Sequence, residues 1–314
     1  MSPRDKARAQ VLAQAVARYQ AKAGMLPGLT SPAHLDVMVA QFIDSLRRVE
    51  FANHIRDAKH DPARMDPASE LFDPLRAAVL RNRRGENDEA WWLVFLGTHF
   101  GKHAVDGWRL TRDIYGRLGQ GGRWDWGAVS SSPSTFHTWL AANEAILRGA
   151  DGVRRRFSNH RKYESLKAAS KKGTSAIIAS YVAWVSPPRT HAELVRELHK
   201  TVGQNPQEVF AALYHSMDAV QRFGRLGKFD FLAMLGKLGI APIDPGSTFL
   251  KDATGPLAGA RLLFGGAGGA KLSAVDLERR LAEFGQATGL GPQVLEDALC
   301  NWQKSPAVYE LFKG

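Results

Sequence analysis

The sequence is nearly without cysteine: Cys300 stands alone among 314 residues. One thiol closes no internal disulfide and offers no CxxC metal pair, so a disulfide framework and a cysteine zinc site are both excluded. A reducing compartment is expected. Long apolar runs are missing too. None reaches the roughly 18 residues that a membrane helix needs, and Met1 to Gln10 carries charge with no apolar stretch behind it, which argues against a secretory leader. A cytoplasmic protein with no membrane partner is expected. No run alternates with period two, no strand–helix–strand rhythm appears, and no segment repeats. The phosphate-loop pattern GxxxxGK[ST] fails as well: Gly265 to Gly269 leads into Ala270-Lys271-Leu272, with no strand before it. Neither a nucleotide triphosphatase nor a cofactor is expected.

What is present is helix punctuation. Ser31-Pro32, Asp73-Pro74, Ser132-Pro133 and Asn205-Pro206 each pair a capping side chain with a proline at the first helical position. Thr190 and Glu193 form a capping box. Gly24, Gly149, Gly203 and Gly289 are natural stops. Between these marks the apolar spacing is helical, as in Leu35, Met38, Val39, Phe42, Ile43, Leu46 and Val49, in Val209, Phe210, Leu213 and Met217, and in Leu277, Leu281 and Phe284. An all-α fold follows, and 44% hydrophobic residues can build its core without a staple. Leu118 to Pro133 and Ile240 to Ala270 read as loops, with Arg261 to Phe264 as a short extended piece. The first loop suggests an N-terminal helical layer, 1–125, and a C-terminal helical domain, 126–314. One continuous domain is the alternative.

Lys and Arg outnumber Asp and Glu 42 to 31, a net +11. Such an excess favours nucleic acid, anionic lipid or phosphorylated partners. It is concentrated in Arg154 to Lys172, where eight of nineteen residues are basic and only Glu164 is acidic. Phe157, Asn159, His160 and Tyr163 are interleaved there, a mixture suited to phosphates and to a stacked base. The alternative is a solvated helix face. In a second cluster, His99 and His103 are spaced to share a helix face with Lys102 between them, and Asp106, Trp108, Arg109 and Arg112 follow. An anion cleft is the expectation here rather than a metal site, with a surface turn around a core tryptophan as the alternative. A third candidate is the turn Arg222 to Asp230, whose Gly224 and Gly227 open an apolar helix able to receive an anion at its N-terminus. Helix-hairpin-helix modules grip DNA phosphates in this way, although two residues rather than one separate these glycines, and an ordinary helix–helix turn is the equal alternative. Leu295, Leu299 and Trp302 share an apolar face near the C-terminus, with Cys300 beside them as a small hydrophobe.

These blocks together resemble the α-glutamyl/putrescinyl thymine pyrophosphorylase family, clade 3. The resemblance covers about Leu26 to Gly314. It rests on Trp91 to Phe95, His99 to Leu110, Trp124 to Trp126, Asn159 to Leu166, Phe223 to Thr248, Thr254 to Gly266 and Leu295 to Ser305. It implies a helical architecture like that of helix-hairpin-helix DNA glycosylases, and action on a hypermodified thymine in DNA. An amine, such as an amino acid or polyamine, would displace phosphate or pyrophosphate from the 5-methyl carbon. The partners implied are DNA and the amine; the oligomeric state is left open.

That chemistry needs DNA held, the base exposed, the leaving group's charge stabilised and the amine deprotonated. Asp230 is the first candidate base, followed by Glu296 and His160. Lys102, His103, Arg109, Arg155, Arg156, Asn159, Arg161, Lys162, Arg222, Gly224, Gly227 and Lys228 are the candidate phosphate and DNA contacts. Tyr163 and Trp302 are the candidate stacking residues. A glycosylase-like repair or defence enzyme, a non-catalytic DNA-binding protein and a helical scaffold for another protein are the rival readings.

Overall fold

A computed structural model describes residues 3–312, and fourteen α-helices account for most of them. In chain order they are α1 (Pro3–Ala23), α2 (Pro32–Asp57), α3 (Pro74–Arg83), α4 (Asn87–Phe100), α5 (Arg109–Tyr115), α6 (Trp126–Ser131), α7 (Pro133–Leu147), α8 (Thr174–Val185), α9 (His191–Val202), α10 (Pro206–Ser216), α11 (Arg225–Lys237), α12 (Gly255–Gly265), α13 (Ala274–Thr288) and α14 (Pro292–Trp302). Among the described residues there is no β-strand, only an isolated bridge between His103 and Gly107. No described helix is long and apolar enough to cross a membrane.

Most of the punctuation acts as expected, although at α7 the Ser132 side chain makes no capping bond. Asp73 accepts from the N–H groups of Leu75 and Arg76, and Asn205 from that of Gln207. The Thr190–Glu193 box is closed in both directions. Two sequence expectations are corrected. Arg261 to Phe264 is the second half of α12, not an extended piece, so the expected loop Ile240 to Ala270 contains a helix. Likewise α6 lies inside the expected loop Leu118 to Pro133. The glycines of α12 mislead because one of them is a spacer: a Cβ on Gly259 would lie 2.3 Å from the carbonyl oxygen of Leu299 in α14.

The chain divides into two compact units, 3–51 with 245–312, and 52–244. This partition differs from a division at residue 125. In the first unit α1 packs on α13, and α12 on α14, around a largely aliphatic core that includes Val16, Met38, Ile43, Leu263, Leu281, Leu295 and Leu299.

In the second unit α4 is central. Ala90 to Gly97 are all buried, so this helix is apolar on every side and sits inside the unit, against α3, α9 and α11. Its aromatic residues organise the core. Phe95 stacks on Tyr181 at 3.9 Å and on Phe223 at 5.0 Å, and meets Phe231 edge-on at 5.9 Å.

The first turn of α4 sends two adjacent carboxylates to the starts of two other helices. Asp88 accepts from the backbone N–H of His191 at 2.8 Å and from its ring Nδ1 at 2.7 Å. The opposite ring nitrogen, Nε2, therefore accepts from the Tyr181 hydroxyl at 2.7 Å. Glu89 accepts from the N–H of Trp126 and from the Tyr115 hydroxyl, both at 2.6 Å. Each carboxylate thus satisfies an orphan donor at a helix N-terminus. Burial nevertheless pushes the pKa of Glu89 up to about 7, because those two bonds offset only part of the desolvation.

Candidate nucleic-acid interface

The basic segment 154–172 lies in the second unit, which holds 28 Lys or Arg against 20 Asp or Glu, a net +8. It is not a helix face. Its only regular piece is a 3₁₀ turn at Asn159–Arg161, and the Ser158 N–H is anchored on the Phe100 carbonyl at 2.9 Å. The anchor depends on Gly101, the residue that ends α4. There φ is +67°, and a Cβ would lie 2.1 Å from Ser158 Oγ.

The cations fall into two classes. Arg155 is only 6% exposed. It bonds Asp113 at 2.6 Å, Asp151 at 2.7 and 2.8 Å, and the carbonyls of Ile146 and Val153. Its donors are spent on shaping the loop. Lys228 is likewise buried, paired with Asp218 and lying 4.1 Å above the Tyr214 ring. Both were expected to meet phosphate; both are instead committed inside the protein. Arg156 grips Asp106 through two bonds of 2.7 and 2.8 Å while keeping 43% of its side chain exposed. Arg222 reaches Glu164 Oε2 and the Tyr163 carbonyl at 3.4 Å each. By contrast Lys102, Arg154, Lys162, Lys167, Lys171 and Lys172 are exposed, and no ion pair engages them among the described residues. A phosphate can be neutralised by these side chains without breaking an existing pair.

Arg161 connects the loop to α11. Its Nη2 lies 3.2 Å from Asp230 Oδ2, its guanidinium sits 5.8 Å from the Phe223 ring centroid, and only 10% of its side chain is exposed. Gly227, in the first turn of α11, lies close beneath it: a Cβ there would be 3.3 Å from Nη1. Gly224 caps α11 with φ −67° and open space around it, so nothing at that position demands glycine. Desolvation raises the pKa of Asp230, against the pull of Arg161, Lys237, His160 and Arg225. The carboxylate still keeps 43% of its side chain open to solvent. Asn159 and His160 are exposed on the same 3₁₀ turn. Tyr163 is 79% exposed, with Lys162 Nζ 5.3 Å from its ring centroid.

A cleft of about 330 Å³ lies at the other end of the loop. Arg64, Arg76, Lys102, Arg109 and Arg112 line it with Glu70, Asp73, Asp106 and Trp108; Arg76 is paired with Asp73, and Arg112 with Glu70 and Asp113. Lys102 and Arg109 were expected at such a cleft. Arg64 and Arg76 were not, since nothing in the sequence brings residues 64 and 76 to residue 109. His103 faces its own turn, its Nδ1 accepting from the N–H groups of Val105 and Asp106. The expected pairing of His99 and His103 on one helix face does not occur, because α4 ends at Phe100. His99 is buried, stacked on Phe95 and bonded to Thr174 Oγ1 at 3.1 Å, and its burial lowers its pKa to about 3. No group of three His, Cys, Asp or Glu side chains among the described residues is placed to hold a metal ion.

The two remaining candidates belong to the first unit. Trp302 has no exposed surface, so it presents no face to a base. Glu296 is buried in α14. For Trp302 the signal was already in the sequence: it completes the apolar face of Leu295 and Leu299.

No curated protein and no solved structure matches this chain. The family described as alpha-glutamyl/putrescinyl thymine pyrophosphorylase clade 3 does match, over residues 33–314. With nearly the whole chain covered, including the anchored basic loop, the Arg161–Asp230 pair and the cationic cleft, this protein belongs to that family of enzymes of thymine hypermodification.

Proposed function

We propose that the protein acts on DNA in which a thymine carries phosphate or pyrophosphate on its 5-methyl carbon, and that it replaces this group with an amine. The observation that carries the reading is the Arg161–Asp230 pair, an accessible carboxylate ringed by cations and joined to an exposed basic loop. The amine nitrogen attacks the exocyclic methylene carbon. The C–O bond breaks, and the phosphate or pyrophosphate leaves with the electron pair. The proton from nitrogen passes to Asp230, a solvent-accessible carboxylate held in place by Arg161 at 3.2 Å. His160, exposed on the neighbouring turn, is the second candidate. Arg161 holds Asp230, and Arg161 with Lys162 next to it on the loop favours the departing anion. Arg154, Lys162 and the lysines at 167, 171 and 172 meet DNA phosphates, while Tyr163 offers a face to the exposed base. The hairpin of α10 and α11 plays the part of a helix-hairpin-helix grip, with Arg222 and Arg225 at its turn.

The test is mass spectrometry of nucleosides from DNA containing 5-pyrophosphomethyluracil, incubated with the protein and a mixture of amines. The expected product is an amine-substituted thymine, formed with release of pyrophosphate and lost in Asp230→Asn. A free base with an abasic site would replace this reading by a glycosylase. Unchanged DNA that the protein still retains would replace it by a binding protein.

A further inference from the structure

Residues 103–107 form a tight, braced hairpin with an apolar tip. His103 and Gly107 exchange backbone hydrogen bonds of 3.0 and 2.9 Å across only three intervening residues. His103 Nδ1 accepts two N–H groups from inside the turn, and Asp106 is clamped from outside by both arms of Arg156. At the tip Val105 is 80% exposed, with Tyr163 and Val275 among the most exposed large hydrophobic residues described. A single exposed valine means little by itself. This one stands on a turn fixed from both sides, and its β-branched side chain has little rotamer freedom to lose. Around it, Lys102 precedes the hairpin, Arg109 follows it, and the base of the hairpin forms one wall of the cationic cleft. Gly101, just before it, is seated on the basic loop through Ser158. A rigid apolar point rimmed by cations fits one partner: the base stack of duplex DNA, whose phosphates meet the rim while the point enters a base step.

We infer that Val105 is a wedge, inserted into the stack beside the target thymine to hold the duplex open once that base has turned out. The inference rests on the proposed action on DNA and adds a specific residue for base exposure. Val105 touches neither reacting group, so it is a positioning residue.

The experiment uses the full chain and a duplex carrying 5-pyrophosphomethyluracil next to 2-aminopurine, whose fluorescence rises when it unstacks. Retention of the duplex and the fluorescence rise are read separately. Val105→Gly is expected to keep retention within about twofold, since unpaired cations supply it, and to cut the rise about tenfold, since the restacking it opposes is substantial. Val105→Leu should restore the rise. So should a mismatch opposite the target in Val105→Gly, because a weakened pair needs no wedge. A full rise in Val105→Gly overturns the wedge and leaves the enzyme reading intact. Failure of the unmodified protein to retain the duplex overturns both.

Discussion

The two units are built from the same kind of element but solve different problems. The first buries mainly aliphatic side chains, with Phe42, Phe284 and Trp302 among them and Asp5, Gln41, Asp44 and Glu296 as buried polar groups, and over 3–51 and 245–312 its net charge is only +2. The second buries stacked aromatics around His99 and His191, with Asp88 and Glu89 half-buried beside them, and carries +8. Polar groups in a core are costly unless bonded, so a core holding several has them placed for a reason. Here they fix helix starts and the loop on which the exposed cations stand. Both units bury polar groups; what sets the second apart is its stacked rings and the exposed, unpaired cations of its loop.

The contrast can be broken at its strongest point. Phe95→Ala removes the ring that ties Tyr181, Phe223 and Phe231 together, and should destabilise the protein by about 3–5 kcal/mol in urea unfolding. If the aromatic cluster organises the second unit, loss of duplex retention accompanies that loss of stability.

A sharper version compares neighbouring arginines. Arg155→Ala leaves Asp113 with Arg112 alone and frees the Ile146 and Val153 carbonyls, and should cost about 1–3 kcal/mol of stability, chiefly from those lost bonds. Arg154→Ala should leave stability within about 0.5 kcal/mol, while lowering the salt slope of DNA binding by about 1. Equal effects of the two on stability would erase the distinction between committed and available cations.

The third prediction concerns pH. Glu89 has a raised folded pKa, so its contribution to stability is full below its ordinary value near 4.5 and is lost as pH rises through about 7. His99 has a depressed one, so its contribution is full above about 6.5 and is lost as pH falls towards 3. The two slopes oppose each other between pH 4.5 and 6.5. Glu89→Gln removes one of them, and the variant should lose about 1.4 kcal/mol more per pH unit than the parent on acidification through that window. Thermal unfolding at several pH values reads this directly. The smallest effect belongs to the first unit: Arg279→Ala breaks an exposed pair with Glu283 and should change stability by no more than about 0.5 kcal/mol.

Much of the fold was legible because its signals are local. A capping side chain before proline marks a helix start whatever surrounds it, and all four such pairs begin helices. The second half of α12 was illegible because Gly259 answers to Leu299, forty residues away. The site divides along the same line. Composition located the basic loop, but the fate of each cation depends on carboxylates far along the chain: Arg156 on Asp106, Arg155 on Asp113, Arg161 on Asp230. Equal residues in a charge run therefore take unequal roles, and only the fold assigns them.

Asp88 and Glu89 stand side by side, yet each holds the opening amide of a different helix. One fraying event at the head of α4 would therefore release α6 and α9 together. The amide protons of Trp126 and His191, sixty-five residues apart, should exchange with solvent in step, as parts of one cooperative opening rather than as two independent helix ends.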